Sequence, residues 1–358
     1  MSDFIDDLCK RVELAARNKT QLRPVGGGTK NFYGGPLQGE EVDMRQWAGI
    51  VEYEPTELVI TVKPGTALAE VEAALAAEKQ ELAFEPPRLG ANGTIGGAIV
   101  SGLAGPARLS KGGVKDYVLG CTLLDGKGQL LHFGGVVMKN VAGYDVARVI
   151  PGSMGTLGIA TELSIKVMPV APAEATLQFD MDVNKAIAQS NEWLSKPLPI
   201  SATFFDNGKL TVRLRGASAA VQAALKNMGG QEMESQQAQA FWTSVRDQQH
   251  AFFKAEGDLW RMAVPPTTVD LAMHGQSVHE WGSGLRWLRA DAGVTAEQIR
   301  ATAKRVGGHA TLYRTGNDAA RVHAFQQPDA VMLKLQRRLK EQFDPAGVFS
   351  INRLSPIL

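Results

Sequence analysis

Apolar residues recur at three- and four-residue spacing from the start of the chain. Phe4, Leu8, Val12 and Ala15 predict an amphipathic helix over 3–17. A short apolar run at 22–25 predicts a strand that leads directly into Gly26-Gly27-Gly28-Thr29-Lys30. Strand-like runs follow at 41–44, 50–54 and 58–62, and Pro64-Gly65 closes that series. Residues 67–78, rich in Ala, Leu and Glu, predict a helix. From Pro86 to Gly113 the chain is glycine-rich. A buried strand is then expected at 117–124, a hairpin turn at Asp125-Gly126-Lys127-Gly128 and a return strand at 129–133. A further glycine-rich stretch ends in a strand at 159–167.

Met168-Pro169-Val170-Ala171-Pro172 marks a change of character. Beyond it glycine thins out, and short strands alternate with helices. Helices are expected at 183–194, 217–227, 236–249 and 295–305, and strands near 175–180, 201–205, 209–215, 259–264 and 309–314. This is an α+β pattern with an antiparallel sheet. A last helix at about 329–343 carries Met332, Leu335, Leu339 and Phe343 on one stripe. The expected division is a first domain at 1–170 and a second at 171–358 that includes the last helix and the tail.

At 358 residues the chain can hold two well-packed domains. The formal net charge of +1 lacks the basic surplus of a nucleic-acid binder. No run approaches the roughly 20 apolar residues of a membrane helix, and the opening MSDFIDDLCK is too acidic for a secretory signal. A cytoplasmic protein is expected, with any membrane contact made through partners. The two cysteines, Cys9 and Cys121, are too few for an iron–sulfur cluster or a disulfide framework.

Glycine concentrates in three places: Gly26-Gly27-Gly28, Gly93-Thr94-Ile95-Gly96-Gly97, and Gly152-Ser153-Met154-Gly155-Thr156-Leu157-Gly158. Such loops let the backbone approach a ligand closely, and successive amides form nests for phosphate. One loop alone is as readily a plain turn. Three within one domain favour a large phosphate-bearing ligand, and a dinucleotide needs several such contact zones. Asn31 stands at the sixth position of G-x-G-x-x-G, so the Rossmann pattern fails, and no P-loop pattern occurs.

Four stretches together carry a resemblance: RPVGGGTK, PPRLGANGTIGGAIVSGLAGP, VKDYVLGCTLLDGKGQLLHFGG and KNVAGYDVARVIPGSMGTLGIATELSIKV. They resemble the FAD-binding domain of the vanillyl-alcohol oxidase/p-cresol methylhydroxylase (VAO/PCMH) superfamily over about residues 20–170. The resemblance implies a PCMH/VAO-type FAD-binding domain with an α+β cap. It assigns Gly26, Gly27, Gly28, Thr29 and Lys30 to a first pyrophosphate loop and Thr94, Ile95, Gly96 and Gly97 to a second. Ser101, Gly102 and Gly105 are implied near the flavin, and Gly158 and Ile159 near the adenosine half. Covalent members tether the flavin through His or Cys, whereas GGGTK offers neither and Cys121 lies away from the glycine loops. Non-covalent FAD is therefore expected.

Within the superfamily, KNVAGYDVARVIPGSMGTLG, GDLWRMAVPPT, WGSGLRWLRAD and LKEQFDPAGVFSINRL resemble the E subunits of bacterial glycolate oxidases. That resemblance implies two partners in one complex, a larger FAD-binding flavoprotein and an iron–sulfur protein. It also implies a small 2-hydroxy-acid substrate and a cytoplasmic site, or one peripheral to the inner membrane through the complex. Oxidising a 2-hydroxy acid calls for a cation to hold the carboxylate, a base for the hydroxyl proton and the flavin as hydride acceptor. His250, Arg261 and Arg286 are the candidate catalytic residues, with Arg246 and Arg314 behind them. Each has a plain alternative as a structural histidine or a stacked arginine. Lys139, Tyr144 and Asp145 are expected to shape a loop. His274 and His279 are five apart, the wrong spacing for one helix face, and no HGDGN-type stretch occurs, so no metal is expected. Three readings stay open: a subunit that oxidises substrate on its own FAD, an electron-relay or assembly subunit, and a stand-alone oxidoreductase. The tail SINRLSPIL and residues 281–287 are candidates for partner contact if either exposes an apolar patch.

Overall fold

The structure is a computed structural model and describes residues 3–135, 146–350 and 352–355. It divides into two compact units. The first comprises residues 1–103, 113–169 and 318–358, and the second 104–112 and 170–317. One break between the units falls at Pro169 and Val170. The last helix and tail cluster with the first unit, and residues 104–112 cluster with the second.

In the first unit the helix Asp3–Asn18 buries Ile5, Leu8, Val12 and Ala15. Ile5 takes the core position, while Phe4 stacks on Trp47 at 5.6 Å. Leu8, Val12 and Ala15 join Leu124, Ile159, Val348 and Phe349 in one apolar cluster, each fully buried Leu, Ile or Phe stabilising by roughly 1.5–3 kcal/mol. Among the described residues an antiparallel sheet runs in the order Ile50–Glu54, Val59–Val62, Ile159–Lys166, Val118–Leu124, Leu130–Gly134. The hairpin turn is fixed by Asp125, whose Oδ1 accepts the amides of Lys127 and Gln129, each at 2.9 Å.

A parallel pair, Leu22–Val25 with Glu40–Asp43, stands apart from that sheet. Its first strand is completed from far along the chain. Leu22 bridges to Phe349, with Leu22 N donating to Val348 O at 2.7 Å. The helix Ala330–Phe343 is held by Lys340, whose Nζ donates to Thr156 O, Phe349 O and Asp344 Oδ2. These bonds explain why the C-terminal residues join the first unit: Lys340 and Asp344 are committed to Thr156, Val348 and Phe349.

In the second unit an antiparallel sheet runs in the order Gln231–Glu232, Ala173–Asp180, Lys209–Gly216, Ile200–Asp206, Gly275–Glu280, Leu285–Ala290, Leu259–Ala263, His309–Arg314. Helices Val183–Leu194 and Ser218–Met228 pack on Phe205, Leu210, Val212 and Leu214. Arg300 of the helix Ala296–Arg305 lies over Trp260 on that same side. The register places Phe204, Glu280, Trp287 and Arg261 together on the opposite side. The strands Gly275–Glu280 and Leu285–Ala290 are not foreseen by the periodicity of the sequence. The helix expected at 236–249 ends at Arg246, because Gln248 turns left-handed (φ 55°).

Candidate functional site

The strand Leu22–Val25 delivers the chain into a cleft. Gly26, Gly27, Gly28, Thr29, Lys30, Thr94, Gly97 and Ser101 of the expected cofactor residues line it. The two glycine loops are packed on one another. A Cβ on Gly27 would fall 1.5 Å from Asn92 O, and one on Gly26 would fall 2.3 Å from Thr94 Oγ1. Thr94 Oγ1 also accepts Gly97 N at 3.2 Å. Among the described residues the backbone amides of Gly26, Gly27, Gly28 and Thr29 donate no hydrogen bond. A run of unspent amides around a left-handed Gly28 (φ 69°) is the geometry of an anion nest.

The cleft also holds residues that sequence reasoning did not assign: Arg23, Met154, Ser350 and Arg353. Arg23 Nη2 meets Glu41 Oε1 at 2.5 Å, while its buried Nε has no partner. Met154 (φ 55°) and Ser350 (φ 40°) are left-handed without being glycine, a strain that concentrates at functional sites. Met154 could have been inferred from the third glycine stretch. Arg353 sits in a tail with no periodicity or motif chemistry to single it out. Close backbone approach, open amides and an orphaned guanidinium nitrogen fit a diphosphate.

The other expected cofactor residues lie off this lining. Ile95 is buried, Gly96 is pressed against Pro64, and Gly102 (φ 65°) abuts Gly152. Gly158 abuts Leu124 O, and the Ile159 side chain is spent in the core cluster with Leu8 and Val12. Gly105 belongs to the second unit, where its carbonyl accepts Trp281 Nε1 at 3.0 Å. Neither cysteine lines the cleft. Cys121 is buried, and burial pushes its thiol up to about 12.

In the second unit Arg261 lies over Trp281 at 5.2 Å and near Trp287 at 6.0 Å. Arg108 approaches the same Trp281 ring at 4.7 Å. Trp281, Gly282 and Ser283 are three successive left-handed residues (φ 56°, 62° and 71°), and all are buried. The turn is fastened by Gly282 N, which donates to Thr203 Oγ1 at 2.8 Å. The Arg261 guanidinium beside this indole is of the kind that could hold a carboxylate.

Arg286 does not fit the role expected of it. It is 3% exposed and donates to the carbonyls of Ser283, Val269 and Thr268, so its fork is already committed. His250 caps the short helix Ala251–Lys254, its Nδ1 accepting Phe252 N at 3.4 Å, and packs on Phe204 and Phe241. Burial lowers its pKa, against the opposing pull of Asp206, whose carboxylate lies 3.9 Å from Nε2. Neither His250 nor Arg286 meets Arg261 in any described contact. Arg246 pairs with Asp247, and Arg314 donates to Gln248 and Phe253. His274 is exposed, whereas His279 is buried in a strand. Lys139, Tyr144 and Asp145 lie outside the described residues. Trp281 and Trp287 are buried, and so are Arg353 and Ser355 of the tail. Val331, Met332 and Leu335 on the helix Ala330–Phe343 are exposed. Among the described residues no helix is long and apolar enough to cross a membrane.

A family described as "FAD binding domain" matches residues 4–134. The fold is similar to a solved structure of alkyldihydroxyacetonephosphate synthase, with a TM-score of 0.66 at 14% identity over 96% of this chain and 73% of that one. The PCMH/VAO-type α+β architecture is thus the one found, and with the glycine cleft it defines a FAD-binding oxidoreductase. The chain is 40% identical to glycolate oxidase subunit GlcE of Escherichia coli (strain K12), across 98% of its own length and 97% of that protein. It is 32% identical to glycolate oxidase subunit GlcD of Bacillus subtilis (strain 168), across 58% of this chain and 45% of that protein. A D-lactate dehydrogenase of Anaerostipes hadrus is 29% identical across 48% of this chain and 36% of that enzyme. The chain belongs to the family of glycolate oxidase E subunits.

Proposed function

We propose that this chain is the smaller FAD-bearing subunit of a glycolate oxidase and takes part in converting glycolate to glyoxylate. The near-full-length likeness to a named glycolate oxidase subunit carries this reading, and the unspent amides of Gly26, Gly27, Gly28 and Thr29 support the cofactor assignment. These amides, with Lys30, Thr94, Gly97 and Ser101, hold the FAD diphosphate. The attachment is non-covalent, since no His or Cys lines the cleft. Bound flavin supplies the two-electron oxidation of the hydroxy acid. Arg261 holds the substrate carboxylate, a role supported by its place beside Trp281. The partners are a larger FAD-binding subunit and an iron–sulfur subunit that carries electrons towards quinone, and any membrane association runs through them.

A second reading, electron relay without substrate turnover, draws on the commitment of Arg286 to backbone carbonyls. The test is anaerobic addition of glycolate to the purified subunit and to the assembled complex, with flavin absorbance recorded. Bleaching of the isolated subunit, weakened about 100-fold by Arg261→Gln at unchanged flavin content, supports turnover here. Bleaching confined to the complex supports relay. An unbleached complex rejects glycolate as the substrate.

A further inference from the structure

A loop that offers its amides to a ligand must turn its carbonyls elsewhere, and those carbonyls need donors of their own. The carbonyls of the segment that follows the first glycine loop are met by two arginines. Arg321 Nη2 donates to Asn31 O at 2.5 Å and to Gly35 O at 3.3 Å, and its Nε donates to Gly34 O at 3.4 Å. Arg353 donates to Tyr33 O at 2.5 Å and also to Gly35 O. The contact is reciprocal, since Gly35 N donates back to Arg353 O at 2.9 Å. A Cβ on Gly35 would lie 1.9 Å from Asn352 O, and one on Gly34 would lie 2.9 Å from Arg353 O. Glycine at these two positions lets the returning chain lie flat on the loop.

The electrostatics of the clamp are lopsided. Arg353 is 5% exposed and has no carboxylate partner among the described residues. Its neighbours are cationic: burial, then Arg321 and Arg23, push its pKa down to about 10. A buried cation without a counter-charge is costly, and an anion in the adjoining cleft relieves it. Arg23 lines that cleft with a buried, unpartnered Nε.

We propose that Arg321 and Arg353 are positioning residues that grip the carbonyls of residues 31–35 and so set the amides of Gly26, Gly27, Gly28 and Thr29 for the flavin diphosphate, to which Arg23 Nε donates directly. This rests on the reading that FAD occupies the glycine cleft. Cofactor affinity is then coupled to docking of the C-terminal segment, and by reciprocity bound cofactor holds that segment down.

The test uses the full chain and its variants Arg353→Met, Arg353→Lys, Arg321→Gln and Arg23→Met. Affinities for FAD and riboflavin are read by flavin fluorescence, and amide exchange is followed over residues 26–35. Arg353→Met is expected to weaken FAD at least 30-fold and to speed exchange in that loop, with part of the loss restored in Arg353→Lys. Arg321→Gln, which leaves the buried arginine in place, is expected to weaken FAD about 10-fold. Arg23→Met is expected to weaken FAD 5- to 10-fold while leaving riboflavin, which has no phosphate, unchanged. Wild-type FAD affinity and loop exchange in both Arg353→Met and Arg321→Gln overturn the clamp and leave the FAD reading standing. Equal losses for FAD and riboflavin in Arg23→Met overturn the diphosphate contact. Absence of FAD affinity in the wild-type chain overturns clamp and reading together.

Discussion

In the cleft of the first unit a run of backbone amides is on offer. Gly26, Gly27, Gly28 and Thr29 present amides, and glycine is required at 26 and 27 because Thr94 and Asn92 leave no room for a Cβ. At the turn Trp281–Ser283 in the second unit the groups on offer are side chains. There Arg261 and Arg108 meet one indole, and two of three left-handed residues are not glycine. A backbone-built site stores its specificity in what is absent from the residues. A side-chain-built site stores it in bulky groups held in a conformation they disfavour. The two should therefore fail differently when altered.

The largest effect is expected at Gly27. Gly27→Ala forces either its own loop or the Asn92 loop to move, and it should weaken FAD by about 100-fold or more, roughly 3 kcal/mol. Flavin fluorescence titration reads this, and near-native affinity would show that the loops tolerate separation. Gly282→Ala sharpens the other half of the comparison. It places a Cβ at φ 62° and 2.6 Å from Leu194 Cδ1, which should destabilise the second unit by about 2–3 kcal/mol in denaturant unfolding. An unchanged midpoint would mean that the turn relaxes freely.

A smaller, pH-dependent effect comes from the helix-covered side of the same sheet. His279 is 2% exposed, its Nδ1 has no partner, and burial, then Arg286, holds its pKa down to about 3. The folded chain keeps His279 neutral, while the unfolded chain takes up a proton below about pH 6.5. Its contribution to stability is therefore complete above that pH and is lost as pH falls towards about 3, the loss reaching about 2 kcal/mol at pH 5. His279→Gln should flatten this part of the stability–pH curve, and an unchanged slope would assign the dependence to other groups.

The contrast also governs what could be read from the sequence. Glycine clusters announce close backbone approach, so the first and second loops were legible, and eight of the expected cofactor residues line one cleft. The hairpin around Asp125 was legible for the same reason, since its turn chemistry is local. The strands Gly275–Glu280 and Leu285–Ala290 were not. In the second of these, alternation is interrupted by Arg286 and Arg289, which look solvent-facing but are buried, each donating to backbone carbonyls distant in sequence. Arg353 was illegible because its partners, Tyr33 and Gly35, stand more than 300 positions away. The helix break at Gln248 was hidden because a left-handed glutamine leaves no compositional trace.

The pairing of Leu22 with Phe349 has a consequence for biosynthesis. A ribosome adding about 5–20 residues per second needs on the order of 20–60 s to travel from one to the other. Throughout that interval the strand that feeds the glycine loop waits without its neighbour, and for most of it the arginines at 321 and 353 are still unmade. The glycine cleft of the nascent chain thus lacks one of its walls until residue 349 has been added. Messages truncated upstream of residue 349 should therefore yield polypeptide that does not retain flavin.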